Sequence, residues 1–155
     1  MINERGRIGD WEGDTVLGAP GKGGLVTMVD RRSRYLQMSL LPNKEAATVE
    51  KVVCRILTNY LPVESITLDN GSEFANFREF EKALDATVYF TDTHSPWQRG
   101  SNENINGLIR FFFPKCTDFR SVSPNQVDLV LHLINNRPRK CLGWLSPLEF
   151  LECCI

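Results

Sequence analysis

The chain has 155 residues, of which 42% are hydrophobic, and a formal net charge of −1. This length fits one domain that buries about two-thirds of its extended-chain surface. No apolar run approaches the roughly 18 residues of a membrane span, and no basic-then-apolar start suggests a signal peptide. The near-neutral charge argues against strong nucleic-acid affinity by this domain alone, because proteins that bind phosphate backbones are usually basic. The basic residues do form two clusters: Arg31, Arg32 and Arg34, and Arg137, Arg139 and Lys140.

The cysteine pattern points to free thiols. The chain has five cysteines, which is an odd number. No Cys-x-x-Cys occurs, and no histidine lies at zinc-ligand spacing. We therefore expect unpaired cysteines in a reducing cytoplasm.

The first half of the chain predicts three antiparallel strands and a helix. Residues 9–17 have the mixed polarity of a first strand. Leu25–Asp30 and Arg34–Leu41 are β-rich runs joined by a short polar turn, which favours a hairpin. Asn43 is expected to cap a helix, because apolar residues then recur at helical spacing as far as Tyr60.

The second half alternates strands and helices. The predicted elements are a strand at Ser65–Leu68, a short helix at Phe74–Leu84, a strand at Thr87–Thr91 and a final helix at Asn125–Asn136. The proline-rich tail is expected to dock through Leu142, Trp144, Leu148 and Phe150. Such alternation favours parallel pairing. The sequence thus predicts a single α/β domain over residues 1–155. Its five-stranded mixed sheet, three antiparallel strands and then two parallel, is flanked by helices.

The stretch from His94 to Phe113 predicts a loop that leads into a helix. The helix starts either at Ser95, with Pro96 in its first turn, or at Ser101 after a Gly100 hinge. Four apolar residues share one side of this helix: Ile105, Leu108, Ile109 and Phe112. Four others share the opposite side: Glu103, Asn106, Gly107 and Arg110.

Three acidic residues could meet in such a fold. Asp14 lies in the first strand, Asp69 ends the fourth, and Glu103 lies on the polar side of the helix. Three carboxylates within about 4–6 Å repel one another unless cations neutralise them. Oxygen ligands without Cys or His select Mg²⁺ or Mn²⁺, and two such ions can clamp a phosphodiester. Glu12 and Glu73 are alternative ligands, because they lie close to these acids in sequence.

Four sequence blocks carry a resemblance to a known family. They are Gly9-Asp-Trp-Glu-Gly-Asp14, Asp69-Asn-Gly-Ser-Glu-Phe74, His94-Ser-Pro-Trp-Gln-Arg-Gly-Ser-Asn-Glu-Asn104, and Asn136-Arg-Pro-Arg-Lys140 followed by Leu142-Gly-Trp144. Together they resemble the DDE transposases and retroviral-type integrases, and most closely the bacterial transposases of the insertion sequence 30 family. The resemblance covers nearly the whole chain. It implies a ribonuclease H-like fold in which Asp14, Asp69 and Glu103 form the metal-binding catalytic triad.

The same resemblance implies an activity and a set of DNA contacts. The activity is metal-dependent phosphodiester cleavage and DNA strand transfer, with two Mg²⁺ or Mn²⁺ ions as cofactors. Arg110 falls where such elements commonly have Lys or Arg, so a DNA-phosphate contact is expected. The alternative is a salt bridge from Arg110 to Glu103 or Glu73. Weaker candidates for DNA contacts are Arg99, Asn106 and His94.

The implied partners are the DNA of the element ends and of the target, and a second copy of the chain in a homo-oligomer, expected to be a dimer. No membrane association is expected. Full-length members of the family carry helix-turn-helix DNA-binding regions upstream, and the sequence contains nothing similar. Two alternatives remain open. One is a ribonuclease H-like nuclease that acts by hydrolysis only, and the other is a truncated, non-enzymatic regulator of a full-length transposase.

Overall fold

The computed structural model of the protein describes residues 7–58, 62–69, 71–91 and 100–154, without the side chains of residues 100–103. Five strands form one mixed sheet in the order β3-β2-β1-β4-β5. The strands are β1 (Asp10–Leu17), β2 (Gly24–Asp30), β3 (Leu36–Leu41), β4 (Ser65–Leu68) and β5 (Thr87–Phe90). β1, β2 and β3 pair antiparallel, whereas β4 runs parallel to both β1 and β5. The predicted mixed sheet is confirmed.

Helices cover both faces of this sheet. They are α1 (Ala46–Leu57), α2 (Phe77–Leu84), α3 (Gly100–Phe112), α4 (Pro124–Asn135) and α5 (Pro147–Cys154). α1 and α2 pack over one hydrophobic core, and α3 and α4 over a second core on the opposite face. All seven residues of β2 are buried, because this strand lies between the two layers. None of the helices in the described part of the chain is long and apolar enough to cross a membrane.

The alternation of side chains along β1 gives the two faces different chemistry. Trp11 belongs to the core beneath α1, and Val16 belongs to the core beneath α3 and α4. Because successive strand residues point to opposite faces, Asp10, Glu12 and Asp14 lie on the same face as Val16. The strand therefore presents three acids toward the α3 and α4 layer.

Local hydrogen bonding sets where two of the helices begin. Asn43 was predicted to cap α1, but its Oδ1 accepts the backbone N–H of Glu45 at 2.9 Å and the helix begins at Ala46. The observed N-cap is Glu45, so the prediction is wrong by two residues, because the asparagine closes a turn before the helix. α4 begins one residue earlier than predicted, since Ser123 forms a capping box with Gln126.

The predicted apolar side of α3 is confirmed in its first half. Ile105 and Ile109 are fully buried, whereas Phe112 is 38% exposed. Phe113 is buried in place of Phe112, and its ring lies 5.6 Å from that of Phe119. The helix ends at Phe112, so the chain direction changes there and the helical spacing no longer decides which ring faces the core.

The tail is more ordered than its composition indicates, because it forms α5, which the sequence analysis did not predict. Leu142 and Leu151 are buried. The expectation that Trp144 docks is wrong, since its side chain is 66% exposed. Trp144 lies in a tight turn with φ +69°, and its N–H donates to the carbonyl of Arg139 at 2.9 Å. The turn takes the indole away from the core.

Candidate active site

Asp14 lies on β1, and Asp69 directly follows β4, the strand that pairs parallel with β1. The pairing extends as far as Glu12 with Thr67, and each aspartate lies two residues beyond that pair along the chain. Paired residues of adjacent strands point to the same face. Four residues before each aspartate, the Ser65 hydroxyl donates to Oδ1 of Asp10 at 2.7 Å across the same two strands. Both Asp14 and Asp69 are half-buried.

Two donors fix the orientation of the Asp14 carboxylate. Its Oδ1 accepts the backbone N–H of Thr15 at 2.8 Å, and its Oδ2 accepts the Nδ2 amide of Asn106 at 3.0 Å. Each carboxylate oxygen has a second lone pair available for a cation. Asn106 is on α3, so this contact ties the helix to the acidic face of β1. Within the described residues, its Oδ1 is buried and accepts no hydrogen bond.

Glu103 belongs to α3, and its side chain lies outside what the structure describes. It precedes Asn106 by three residues, which places the two Cα atoms on neighbouring turns of the same side of the helix. Arg99 and His94 lie outside the described residues, so their DNA contacts stay predictions. Among the side chains that the structure describes, no three His, Cys, Asp or Glu residues form a metal site. The carboxylates of Asp14 and Asp69 nevertheless fit Mg²⁺ or Mn²⁺, because both ions prefer hard oxygen ligands.

A backbone hydrogen bond orients the Asp69 side chain. The N–H of Gly71 donates to Oδ1 of Asp69 at 3.0 Å. A Cβ atom at position 71 would lie 2.5 Å from Oε2 of Glu73, so this position has room only for glycine unless Glu73 moves. Glu73 is 7% exposed, and its Oε1 accepts the Thr15 hydroxyl at 3.2 Å. Direct contacts through the buried Glu73 therefore link Gly71 to Thr15 of β1.

The two alternative acidic ligands have other partners. Glu12 is fully buried, and its Oε1 lies 3.6 Å from Nε of the buried Arg31. Glu73 contacts Thr15, which points to the face of β1 opposite to Asp14. Glu12 and Glu73 are therefore engaged in contacts of their own, with Arg31 and Thr15 respectively.

Arg110 joins the end of α3 to the end of β1. Its Nη2 donates to the carbonyl of Leu17 at 2.8 Å, and its Nη1 lies 3.4 and 3.5 Å from the carbonyls of Pro114 and Phe113. These contacts are to backbone carbonyls, and within the described residues no salt bridge joins Arg110 to Glu73. The alternative salt bridge to Glu103 stays a prediction, because the Glu103 side chain lies outside what the structure describes. The contact of Arg110 with a DNA phosphate also stays a prediction.

Sequence reasoning placed Asn106 among the DNA contacts and missed its bond to Asp14. The ion pair between Glu12 and Arg31 was also missed. One indication of this ion pair was present in the sequence, because acidic residues occupy every second position of the first strand, at 10, 12 and 14. A strand that carries three acids on one covered face needs donors or cations from neighbouring elements.

A mixed sheet covered on both faces, with one aspartate on β1, another directly after the adjacent parallel strand β4, and a helix bound to the first, defines a ribonuclease H-like core of the integrase and transposase class. The integrase core domain family matches residues 5–96, and the chain belongs to that family. The resemblance to transposases of the insertion sequence 30 family, predicted from sequence, is confirmed by the relatives that follow. Domains of this family generally use divalent metal ions.

The chain is similar to transposases of bacterial insertion elements. It is 42% identical over 154 residues to the transposase InsI for insertion sequence element IS30A of Escherichia coli strain K12, covering 97% of this chain and 40% of that protein. It is 39% identical over 150 residues to the transposase for insertion sequence element IS4351 of Bacteroides fragilis, covering 96% and 46%. The chain thus spans less than half the length of these relatives.

A solved structure supports the fold. The chain superimposes with a TM-score of 0.72 on a chain of the cryo-EM structure of the simian T-cell lymphotropic virus intasome in complex with PP2A regulatory subunit B56 gamma. The match covers 91% of this chain and 53% of the other, at 18% sequence identity. At this identity the similarity concerns the fold alone, and it agrees with the ribonuclease H-like prediction.

Proposed function

We propose that this chain is the catalytic core of a DNA transposase that cleaves phosphodiester bonds and transfers DNA strands. Asp14, Asp69 and Glu103 are its catalytic carboxylates and hold two divalent ions, Mg²⁺ or Mn²⁺. The observation that carries the proposal is the parallel pairing of β1, which holds Asp14, with β4, which leads directly into Asp69, together with the hydrogen bond from Asn106 of α3 to Asp14. The family membership and the transposase relatives support the same reaction class.

Each residue has a physical role in this proposal. The bound ions would lower the pKa of a water or a 3′-hydroxyl and stabilise the attacking and leaving oxygens of the phosphodiester. Asp14 supplies oxygen ligands from a rigid strand, with its orientation set by Thr15 and Asn106. Asp69 supplies ligands from a side chain oriented by the N–H of Gly71. Such positioning matters because metal-assisted displacement requires the reacting oxygens to lie in line.

The test combines metal binding with DNA chemistry. Binding of Mn²⁺ to the chain is measured by calorimetry, and cleavage and joining are measured on a labelled duplex with a free 3′-hydroxyl. Asp14→Asn, Asp69→Asn and Glu103→Gln should each abolish the chemistry and weaken Mn²⁺ binding, while far-UV circular dichroism stays unchanged. Wild-type cleavage by any of the three variants would remove that residue from the site.

The assay also separates the proposed function from its main alternative. A nuclease that acts by hydrolysis uses water as its only nucleophile, so it releases cut DNA without joined product. A transposase core also transfers the 3′-hydroxyl, which produces a longer labelled strand. Hydrolysis without any joining, at metal concentrations that support cleavage, would favour the nuclease.

The proposal includes a DNA partner, a homodimer and a bacterial cytoplasmic location. Two copies are expected because a transposition reaction joins two element ends. The five cysteines are free, as expected for a reducing compartment. Analytical ultracentrifugation of the chain with and without DNA tests the dimer, and a single monomeric species under both conditions would contradict it.

A further inference from the structure

The two basic clusters of the sequence meet at one corner of the fold. One cluster lies in the turn between β2 and β3, and the other follows α4. Asn135, the last residue of α4, connects the two regions: its Oδ1 accepts the N–H of Leu36 at 2.8 Å and its Nδ2 donates to the Leu36 carbonyl at 2.9 Å. These bonds fix the end of α4 against the first residue of β3. Residues about 100 positions apart therefore form one positively charged region.

Two arginines of this region already have partners. Arg31 forms the buried pair with Glu12. The Arg32 guanidinium lies over the ring of Phe150, 4.9 Å from its centroid. We name Arg34, Arg137, Arg139 and Lys140 the basic corner, and of these Arg137 and Lys140 are exposed and can face a ligand.

Arg139 is the most unusual member of the basic corner. It is 8% exposed, and in the described part of the chain its Nη1 is buried and has no hydrogen-bond partner. Burial lowers the pKa of the Arg139 guanidinium; the thiol of Cys141 raises it, and the positive charges of Arg34 and Arg137 lower it further. No salt bridge joins Arg139 to an acid within the described residues. Three guanidinium groups held close together repel one another, and a bound anion offsets that repulsion.

A cavity leads from the basic corner to the candidate active-site helix. It has a volume of about 270 Å³ and lies between α3 and α4, with Gly107, Phe111, Leu133 and Arg137 in its lining. A Cβ atom at Gly107 would meet nothing within 4 Å, so the helix surface is open there. Gly107 lies one helical turn beyond Glu103. Arg137 thus belongs both to this cavity and to the basic corner.

We propose that the basic corner binds the phosphate backbone of duplex DNA and holds a segment that extends beyond the active site. The proposal rests on the proposed function, because it assigns a second contact to the same DNA. With a net charge of −1, the chain can attract a polyanion only where its positive charge is concentrated. Phosphate contacts carry no sequence information, so this surface sets position and affinity rather than the choice of target.

The test uses exposed residues, so that the fold is preserved. Binding of the chain to a fluorescein-labelled duplex is measured by anisotropy over a range of salt concentrations. The variant Arg137→Ala/Lys140→Ala removes two exposed charges from the basic corner. The control Lys44→Ala/Lys51→Ala removes two exposed charges in and beside α1, which covers the opposite face of the sheet.

Each phosphate contact that is lost should reduce the slope of log K against log salt by about 0.9. We expect a clearly smaller slope for Arg137→Ala/Lys140→Ala and the wild-type slope for the control. A duplex of scrambled sequence should give the same difference. Equal slopes for the two double variants would overturn the proposal, and so would a wild-type chain that does not bind the duplex.

A separate readout tests the proposed function. Asp14→Asn should lose metal-dependent cleavage, and the loss of slope caused by Arg137→Ala/Lys140→Ala should also be present in the Asp14→Asn background. Suppose that Asp14→Asn cleaves DNA normally while Arg137→Ala/Lys140→Ala has a smaller slope of log K against log salt. The assignment of the catalytic residues then fails, and the proposal that the basic corner binds DNA is supported. If Asp14→Asn is inactive and the slopes are equal, the DNA surface fails and the proposed function stands.

Discussion

Nδ2 of Asn106 lies 3.0 Å from Oδ2 of Asp14, a hydrogen bond that joins a helix to a strand 92 residues away in sequence. A carboxylate oxygen can only accept, so the amide nitrogen must face it. With the N–H of Thr15 on the other oxygen, the bond leaves Asp14 little rotational freedom. Asn106 thereby acts on the proposed metal site through Asp14.

We expect Asn106→Ala to reduce metal-dependent cleavage by about 10–100-fold, the usual range when the partner of a metal ligand is removed. Asn106→Asp should reduce it further, because a second carboxylate would face Asp14. The measurement is the cleavage rate as a function of Mn²⁺ concentration, and the metal requirement should rise. Asn125→Ala, at an exposed position of α4, is the control. An unchanged metal requirement in Asn106→Ala would contradict the positioning role.

Gly71→Ala should lower the free energy of unfolding by about 1–3 kcal/mol, the usual effect of overpacking. The backbone of Gly71 has φ −69°, which alanine adopts easily, so the cause is the 2.5 Å approach of the new Cβ to Oε2 of Glu73. Urea denaturation measures the change. Gly107→Ala is the matched control and should be neutral or stabilising, because its Cβ has open space within a helix. In a Glu73→Ala background, Gly71→Ala should lower the free energy of unfolding clearly less than in the wild type. An equal decrease in both backgrounds would argue against this contact.

Arg110→Ala should lower the free energy of unfolding by about 1–3 kcal/mol, because the carbonyl of Leu17 would lose a charged donor. The predicted phosphate contact adds a second expected result, a decrease of about 0.9 in the salt slope of DNA binding. Thermal denaturation and anisotropy on the same protein measure both. Arg110→Lys keeps the charge but loses the fork of donors, so it should retain the slope and lose stability. A destabilised Arg110→Ala with a wild-type slope would assign the residue to the fold alone.

The buried Asp30 gives stability an unusual pH dependence. Burial raises the pKa of the Asp30 carboxyl, hydrogen bonds from Ser33 and Gly9 lower it in part, and the charge of Asp10 raises it. The folded state therefore keeps the Asp30 proton at pH values where the unfolded state has released it. The contribution of Asp30 is fully present below its unfolded pKa, near 4, and is lost as pH rises through the raised folded pKa.

The expected result is a wild-type stability that falls with rising pH relative to Asp30→Asn over that window. Urea denaturation at a series of pH values measures the difference between the two proteins. Asp118 provides the opposite case, because its hydrogen bonds with Arg120 lower the pKa of its carboxyl. Relative to Asp118→Asn, wild-type stability should rise with pH over the acidic range. The same sign for both residues would contradict the assigned cause.

Local pattern was sufficient to predict most strands, whereas tertiary contacts decided the rest. Ser65–Leu68 is observed as predicted, because a short β-branched run bounded by turn residues has few other conformations. The sequence indicated that Asp14 and Asp69 could meet, but the pairing of β1 with β4 that brings their strands together is seen only in the structure. The bond of Asn106 to Asp14 and the pair of Arg31 with Glu12 depend on packing across the sheet, which no local spacing encodes. Asn43 was misjudged because asparagine closes turns as readily as it caps helices.

The side chain of Asn135 also has a consequence for how the molecule meets its neighbours in solution. β3 is an edge strand of the sheet, and such edges offer free N–H and C=O groups to the strands of other molecules. By binding both backbone groups of Leu36, the Asn135 amide takes the place of a further strand at the start of that edge. The stretch open to intermolecular β-pairing becomes shorter. A single buried amide at the end of a helix thus protects the chain against edge-to-edge aggregation.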